Sequence, residues 1–185
     1  PAALHMVEDI NMYKYFFNLL GIKTITSERC RDGMQLGKKL AGAEFCAPVM
    51  AMYGHIDWLL DKADYIFLPR YFEEKAKDVR RQFCYYTQYM PALTTVLCEE
   101  NSGRILRPVI KYLYTSFHSK MQLYRMVRKI GCNELGFLDI SSAYDKALQF
   151  RKDCDQNLKK LMVGNLSKVD DVEIVLLGRP YTTLV

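Results

Sequence analysis

The chain has 185 residues, half of them hydrophobic and a quarter charged, which is the composition of one globular domain with a sizeable core. Its net charge of +5 is spread along the sequence and falls short of a nucleic-acid footprint. No apolar run approaches the ~18 residues of a membrane span and the first residues show no signal-peptide pattern, so the sequence reads as cytoplasmic.

Residues 2–7 fit a short first strand. A helix is expected over 11–20, with Ile10, Tyr13, Phe17 and Leu20 on one face and Gly21 as its stop. Ile22-Lys23-Thr24-Ile25-Thr26 alternates and is β-branched, so it reads as a second strand. A polar turn over 27–33 leads to a short helix over 34–40, and Gly33, Gly37 and Gly42 read as loop and cap glycines. The clearest helix spans 48–62, where Val49, Met52, Tyr53, Ile56, Leu59 and Leu60 recur at helical spacing. Pro48 suits its first turn, where a missing N–H costs nothing. Cys46 therefore stands at a helix N-terminus, where the free amides and the dipole favour a thiolate.

Strand three is expected over 65–68, stopped by Pro69. The charged stretch 71–82 reads as a solvated loop or helix, and 91–97 as a return towards the sheet. Residues 105–110 look like a further strand whose proline points to a strand end or a sheet edge. Helices are expected over 116–130 and about 141–163; the second carries Ile140, Ala143, Ala147, Phe150, Cys154, Leu158 and Leu161 on one face. A last strand is placed at 172–177. Strands alternating with helices predict an α/β fold over 1–177: a Rossmann-like parallel sheet of four or five strands with a helical segment at about 116–163. Residues 178–185 then read as the start of a following, truncated domain or as a strand extension.

The six cysteines lie in a chain with a core and no export pattern, so they are read as reduced thiols. Cys98 and Cys154 fit apolar runs, and Cys30 and Cys132 are assigned structural roles. No G-x-G-x-x-G or G-x-x-x-x-G-K-[ST] occurs, which argues against a bound nucleotide. His55 lies nine residues after Cys46 on the same helix, about 13 Å away at about 1.5 Å per residue, too far for a Cys/His nucleophile. It is read as a helix-packing residue, while His5 and His118 have no interpretable neighbours. A closed zinc site wants four ligands, often in close cysteine pairs, and these are missing. What remains is Cys46 and Cys84, with Pro69-Arg70 between them at the carboxyl end of strand three, where open α/β sheets gather ligands. Thiolates hold iron–sulfur clusters, and these two could supply two ligands; ordinary buried cysteines are the plainer alternative.

Several segments resemble one family in order and spacing: Asn11-Met12-Tyr13, Glu44-x-Cys46-x-Pro48, Gly54-His55-Ile56, Asp64-Tyr65-Ile66-Phe67-x-Pro69-Arg70 and Leu177-Gly178-Arg179-Pro180-Tyr181. The family is the uncharacterised domain attached to, or encoded with, activators of 2-hydroxyacyl-CoA dehydratases, which is also similar to the dehydratase subunits. The resemblance runs from about residue 9 to 181. It implies a Rossmann-like domain of a larger cytoplasmic protein from anaerobic bacteria. It also implies a [4Fe-4S] cluster held by three cysteines, of which Cys46 and Cys84 match the first two and the third lies beyond this chain. The sequence departs from the pattern twice: some members have cysteine where this chain has Arg70, and Tyr85-Tyr86-Thr87 lacks the proline often seen after the second cysteine.

These readings lead to a cluster-binding redox domain of an acyl-CoA dehydratase or activase-type system. Cys46 and Cys84 would ligate metal, and Arg70 would contact an anionic substrate or a cluster sulfide. The chain by itself is expected to lack the cluster and to be inactive. The rival expectation is a non-catalytic domain that docks an activator ATPase or a dehydratase subunit. A CoA thioester is a further candidate ligand, with Lys75, Lys77, Arg80 and Arg81 able to hold phosphates, although a solvated face is the plainer explanation of those residues.

Overall fold

The computed structural model describes residues 1–76, 79–112, 115–166 and Gly178, with the side chains of 74–76, 79–81, 165 and 166 left aside. Helices dominate: α1 (Met6–Leu19), α2 (Gly33–Ala41), α3 (Ala47–Leu60), α4 (Tyr85–Leu97), α5 (Ser116–Lys129) and α6 (Phe137–Leu166). The strands are two to four residues long: β1 (Ile66–Phe67), β2 (Arg70–Tyr71), β3 (Glu73–Ala76), β4 (Val79–Gln82), β5 (Ile105–Leu106) and β6 (Val109–Ile110). The expected parallel sheet of four or five strands is therefore not present among the described residues, and the domain is mainly helical.

The reason lies in the pairing. β1 pairs with β5 and β2 with β6, both parallel, and one register runs through both. Pro69 then falls opposite Pro108, and neither can donate a ladder hydrogen bond. The result is a single two-stranded ribbon interrupted at its middle, bridged by Leu68 N–H to the Leu106 carbonyl (2.7 Å) and Arg70 N–H to the Pro108 carbonyl (2.9 Å). The expected strand over 105–110 is real but broken at its proline.

Other sequence expectations are corrected in the same way. Residues 2–7 form a turn leading into α1, with Met6 and Val7 donating to the carbonyls of Ala3 and Leu4; a short apolar run does not by itself separate strand from helix. Ile22–Thr26 has no strand partner among the described residues. β3 and β4 pair antiparallel, Glu73 facing Gln82 and Ala76 facing Val79, in place of the expected solvated loop or helix. Residues 91–97 continue α4, with Pro91 inside the helix. The expected strand at 172–177 lies outside the described residues.

Three helices match their patterns closely: α2, α3 and α5 begin and end within two residues of expectation. Gly21 and Gly42 end α1 and α2 with positive φ of 69° and 59°, the left-handed region that glycine reaches without strain. Gly33 and Gly37, in contrast, are not loop glycines. They lie on α2 where it crosses α3, and a Cβ on Gly37 would stand 1.8 Å from the Met50 carbonyl oxygen. The core gathers Met12 and Phe16 of α1, Met52 and Ile56 of α3, the ribbon residues Ile66 and Ile110, and Leu123 of α5. α6 buries Ile140, Ala143 and Ala147, but Leu158 and Leu161 of the same sequence stripe are exposed. At the other end of the ribbon, Arg104 donates to the carbonyls of Leu60, Ala63 and Asp64, tying the last turn of α3 to β5.

Candidate functional site at two helix N-termini

Cys46 and Cys84 occupy the same structural position. Each is the N-cap residue of a helix, Cys46 of α3 and Cys84 of α4, with nearly identical extended backbone angles (φ −63°, ψ 148° and φ −61°, ψ 153°). Both thiols are exposed, which sets them apart from the buried Cys30 and Cys98 and the half-buried Cys132 and Cys154. The plainer alternative of buried cysteines thus fails for these two and holds for Cys98. The helix N-termini are neighbours: Phe45, preceding Cys46, and Tyr86, two residues after Cys84, set their rings edge-to-face with centroids 5.8 Å apart. Phe45 also leans on buried Tyr53 of α3 (5.7 Å).

Cys84 is the better held thiol. Its sulfur accepts from Thr87 N–H at 3.5 Å and lies 3.3 Å from the Thr87 hydroxyl. The loop before it is fastened on three sides. Phe83 N–H donates to the Phe72 carbonyl, Gln88 Nε2 donates to the Phe83 carbonyl (2.6 Å), and the Phe83 ring stacks on Tyr71 (5.6 Å).

Arg70 joins the ribbon to this turn. Its Nε donates to the Gln88 carbonyl in the first turn of α4 (3.1 Å), and its guanidinium lies over the rings of Phe72 (4.6 Å) and Tyr89 (5.4 Å). It makes no ion pair among the described residues, so its charge is held by aromatic faces and one carbonyl. Cys84, Arg70 and the α4 N-terminus therefore form one cluster at the ribbon's β2 end, and the Phe45–Tyr86 ring contact brings the start of α3 to it. The side chains of Lys75, Arg80 and Arg81 and all of Lys77 lie outside the described residues, so the CoA-phosphate reading stays an expectation.

Behind the cluster lies a buried polar network that has no signal in the spacing of its residues. Asp9 of α1 pairs with Arg151 of α6 (2.6 Å) and accepts from the Tyr71 hydroxyl (2.7 Å), which also lies 2.8 Å from the Tyr13 hydroxyl. Burial raises the tyrosines Tyr13, Tyr71 and Tyr112 well above the usual phenol range, with the Asp9 charge adding to it. His5 packs edge-on to Tyr71 (4.9 Å), and neither ring nitrogen makes a well-formed hydrogen bond. Burial pushes its imidazole down to about 3, against a weaker opposing pull from the Pro69 carbonyl. His55 is, as expected, a packing residue: its Nδ1 meets the buried Ser27 hydroxyl at 2.7 Å and its ring sits against Gly33.

A metal fits this end in part. The donors are of the right type and face solvent at two positive helix ends. Yet no group of three or more Cys, His, Asp or Glu able to hold an ion exists among the described residues. One cavity, of about 440 Å³, lies between α1, residues 22–26 and β1; another, of about 470 Å³, lies next to Cys46, lined by Glu44, Phe45, Ala47 and Met50, and neither is lined by a cysteine. No helix among the described residues is long and apolar enough to cross a membrane.

A mainly helical domain with a short parallel ribbon, carrying two exposed thiols and an aromatic-clasped arginine at one end, is thus the class that fold and site define. A family model described as the CoA enzyme activase uncharacterised domain matches residues 1–185, and the chain belongs to that family. No curated protein and no solved structure matches it.

Proposed function

We propose that this domain serves an acyl-CoA dehydratase or activator system by presenting Cys46 and Cys84 as two thiolate ligands of a [4Fe-4S] cluster, the third coming from outside the described residues. The observation that carries this reading is that two exposed cysteines cap α3 and α4, helices whose first turns meet through the Phe45 and Tyr86 rings. Orphan amides and the dipoles at both N-termini favour a negatively charged group there. A bound cluster would supply one-electron chemistry. Arg70, with Nε committed to Gln88, presents the rest of its guanidinium to an anionic substrate group at the same end. The test is iron and sulfide analysis, with absorbance near 400 nm, of the full-length protein purified without oxygen. Cys46→Ser and Cys84→Ser should each strip iron; a wild-type protein without iron or labile sulfide overturns the reading.

A second reading has its own observation. Tyr85, Tyr89, Leu93 and Val96 are exposed at i, i+4, i+8 and i+11 of α4, with Val96 and Tyr85 both 74% accessible. This apolar stripe suits docking to an activator ATPase or a dehydratase subunit. If docking is the whole role, the two serine variants keep partner binding and activity.

A further inference from the structure

Cys46 and Cys84 share a position in the fold but not an environment. Cys46 makes no side-chain hydrogen bond at its cap, whereas Cys84 meets both the N–H and the hydroxyl of Thr87. Thr87 is 4% accessible, so its hydroxyl is shielded from water. A threonine inside a helix usually turns its hydroxyl back to the carbonyl four residues earlier, as Thr94 does to Met90. For Thr87 that carbonyl belongs to Phe83 and is already taken by Gln88 Nε2 at 2.6 Å. Gln88 is held in turn by Arg70 at its own carbonyl. Among the described residues the partner of the hydroxyl is the Cys84 sulfur, at 3.3 Å. Once Cys84 is a thiolate, which only accepts, the hydroxyl must be the donor.

We propose that Thr87 is a positioning residue that makes the two thiols unequal: its hydroxyl fixes the Cys84 sulfur and draws charge from it, while Cys46 keeps its full electron density. The consequence for a cluster rests on the reading above, because hydrogen bonds to a ligating sulfur stabilise the more negative, reduced state and raise the potential. The consequence for the thiol needs no metal: a hydrogen-bonded thiolate is a poorer nucleophile.

The experiment compares the full-length wild type with Thr87→Val, which keeps size and backbone N–H, and Thr87→Ser, which keeps the hydroxyl. Thr87→Ala replaces the valine variant if that one fails to fold. In the metal-free protein, iodoacetamide labelling of Cys84 and Cys46 is followed by mass spectrometry at pH 10, above the ordinary thiol range of about 8.5. Losing a hydrogen bond of typical strength should speed Cys84 labelling roughly two- to tenfold, with Cys46 unchanged and Thr87→Ser at the wild-type rate. Equal Cys84 rates in wild type and Thr87→Val overturn the proposal. Where the wild type carries iron, Thr87→Val should hold the same iron and sulfide with a more negative midpoint in an optical redox titration, restored by serine; an unshifted midpoint also overturns it. A wild type without iron whose Cys84 is nevertheless unmasked by Thr87→Val sinks the cluster reading and supports the role of Thr87.

Discussion

Replacing Gly54 by alanine should destabilise the chain by about 3 kcal/mol, the high end for an overpacked site. A Cβ there would lie 1.8 Å from the Gly33 carbonyl oxygen and 2.6 Å from its carbon, and one on Gly37 would lie 1.8 Å from the Met50 oxygen. Ordinary contact begins at 3.4 Å, so going from 1.8 to 3.4 Å parts α2 from α3 by at least 1.6 Å. The obstacle is backbone on both sides, which has no rotamer to escape into. Alanine returns about 1 kcal/mol of helix propensity. Against this, parting the helices loosens Val49, Met50 and Tyr53 at the crossing, side chains of the size that contribute about 1.5–3 kcal/mol each when fully buried. Urea unfolding followed by far-UV circular dichroism should show a lower midpoint at unchanged slope. At about 2–4 °C per kcal/mol for a chain of this size, the melting temperature should fall by roughly 6–12 °C. Gly37→Ala should behave alike. Gly164→Ala, where a Cβ meets nothing within 4 Å, should be neutral or gain up to about 1 kcal/mol. If Gly54→Ala and Gly37→Ala both unfold within about 0.5 kcal/mol of wild type, the glycine-to-backbone crossing does not exist.

His5 makes stability depend on pH. Its folded value of about 3 lies below the unfolded 6.5, so between them the unfolded chain binds the extra proton and stability falls as pH drops below 6.5. At pH 5 the loss from this group should approach about 2 kcal/mol, at 1.36 kcal/mol per unit. Urea midpoints at pH 7 and pH 5 should therefore differ less in His5→Phe than in wild type; equal losses would show that His5 is not the source. Asp9→Asn strips the charge that Arg151 and Tyr71 face. Breaking a buried pair costs about 3–5 kcal/mol, and because Arg151 keeps 22% of its side chain in water, roughly 2–3 kcal/mol is expected here. A double-mutant cycle with Arg151→Met should return a coupling above about 1 kcal/mol, and none would mean the pair is electrostatically idle.

Helices α2, α3 and α5 are legible because their apolar residues recur over two to four turns between clear stops, and the strands are not because their fate depends on partners far along the chain. Ile66–Phe67 and Ile105–Leu106 look like the cores of longer strands. They stay short because their register sets Pro69 against Pro108, a coincidence visible only once the pairing is known. Ile22–Thr26 has the composition of a strand and, among the described residues, no partner to make it one. α4 went the other way: Pro91 argues against a helix in isolation, yet Tyr85–Leu97 is helical, begun at the Cys84 cap and lined inside by Met90 and Thr94. Gly33 and Gly37 four residues apart, with Gly54 on the next helix, were the available signal for a close crossing; isolated as loop glycines, they lost it.

The position of Cys46 at a helix start is legible in the sequence because Pro48 and the stripe of α3 fix where that helix begins. Cys84 was found for a different reason than the one that matters. It was placed after a strand and a polar loop, whereas the structure makes it a second N-cap, equivalent to Cys46 in backbone and opposite in hydrogen bonding. That asymmetry could not be read from spacing, since Cys84-x-x-Thr87 is an ordinary capping interval and Cys46-x-x-Val49 offers only an aliphatic side chain at the same place. The difference between the two thiols is therefore written in the third residue of each helix: threonine gives one sulfur a donor, and valine leaves the other without one.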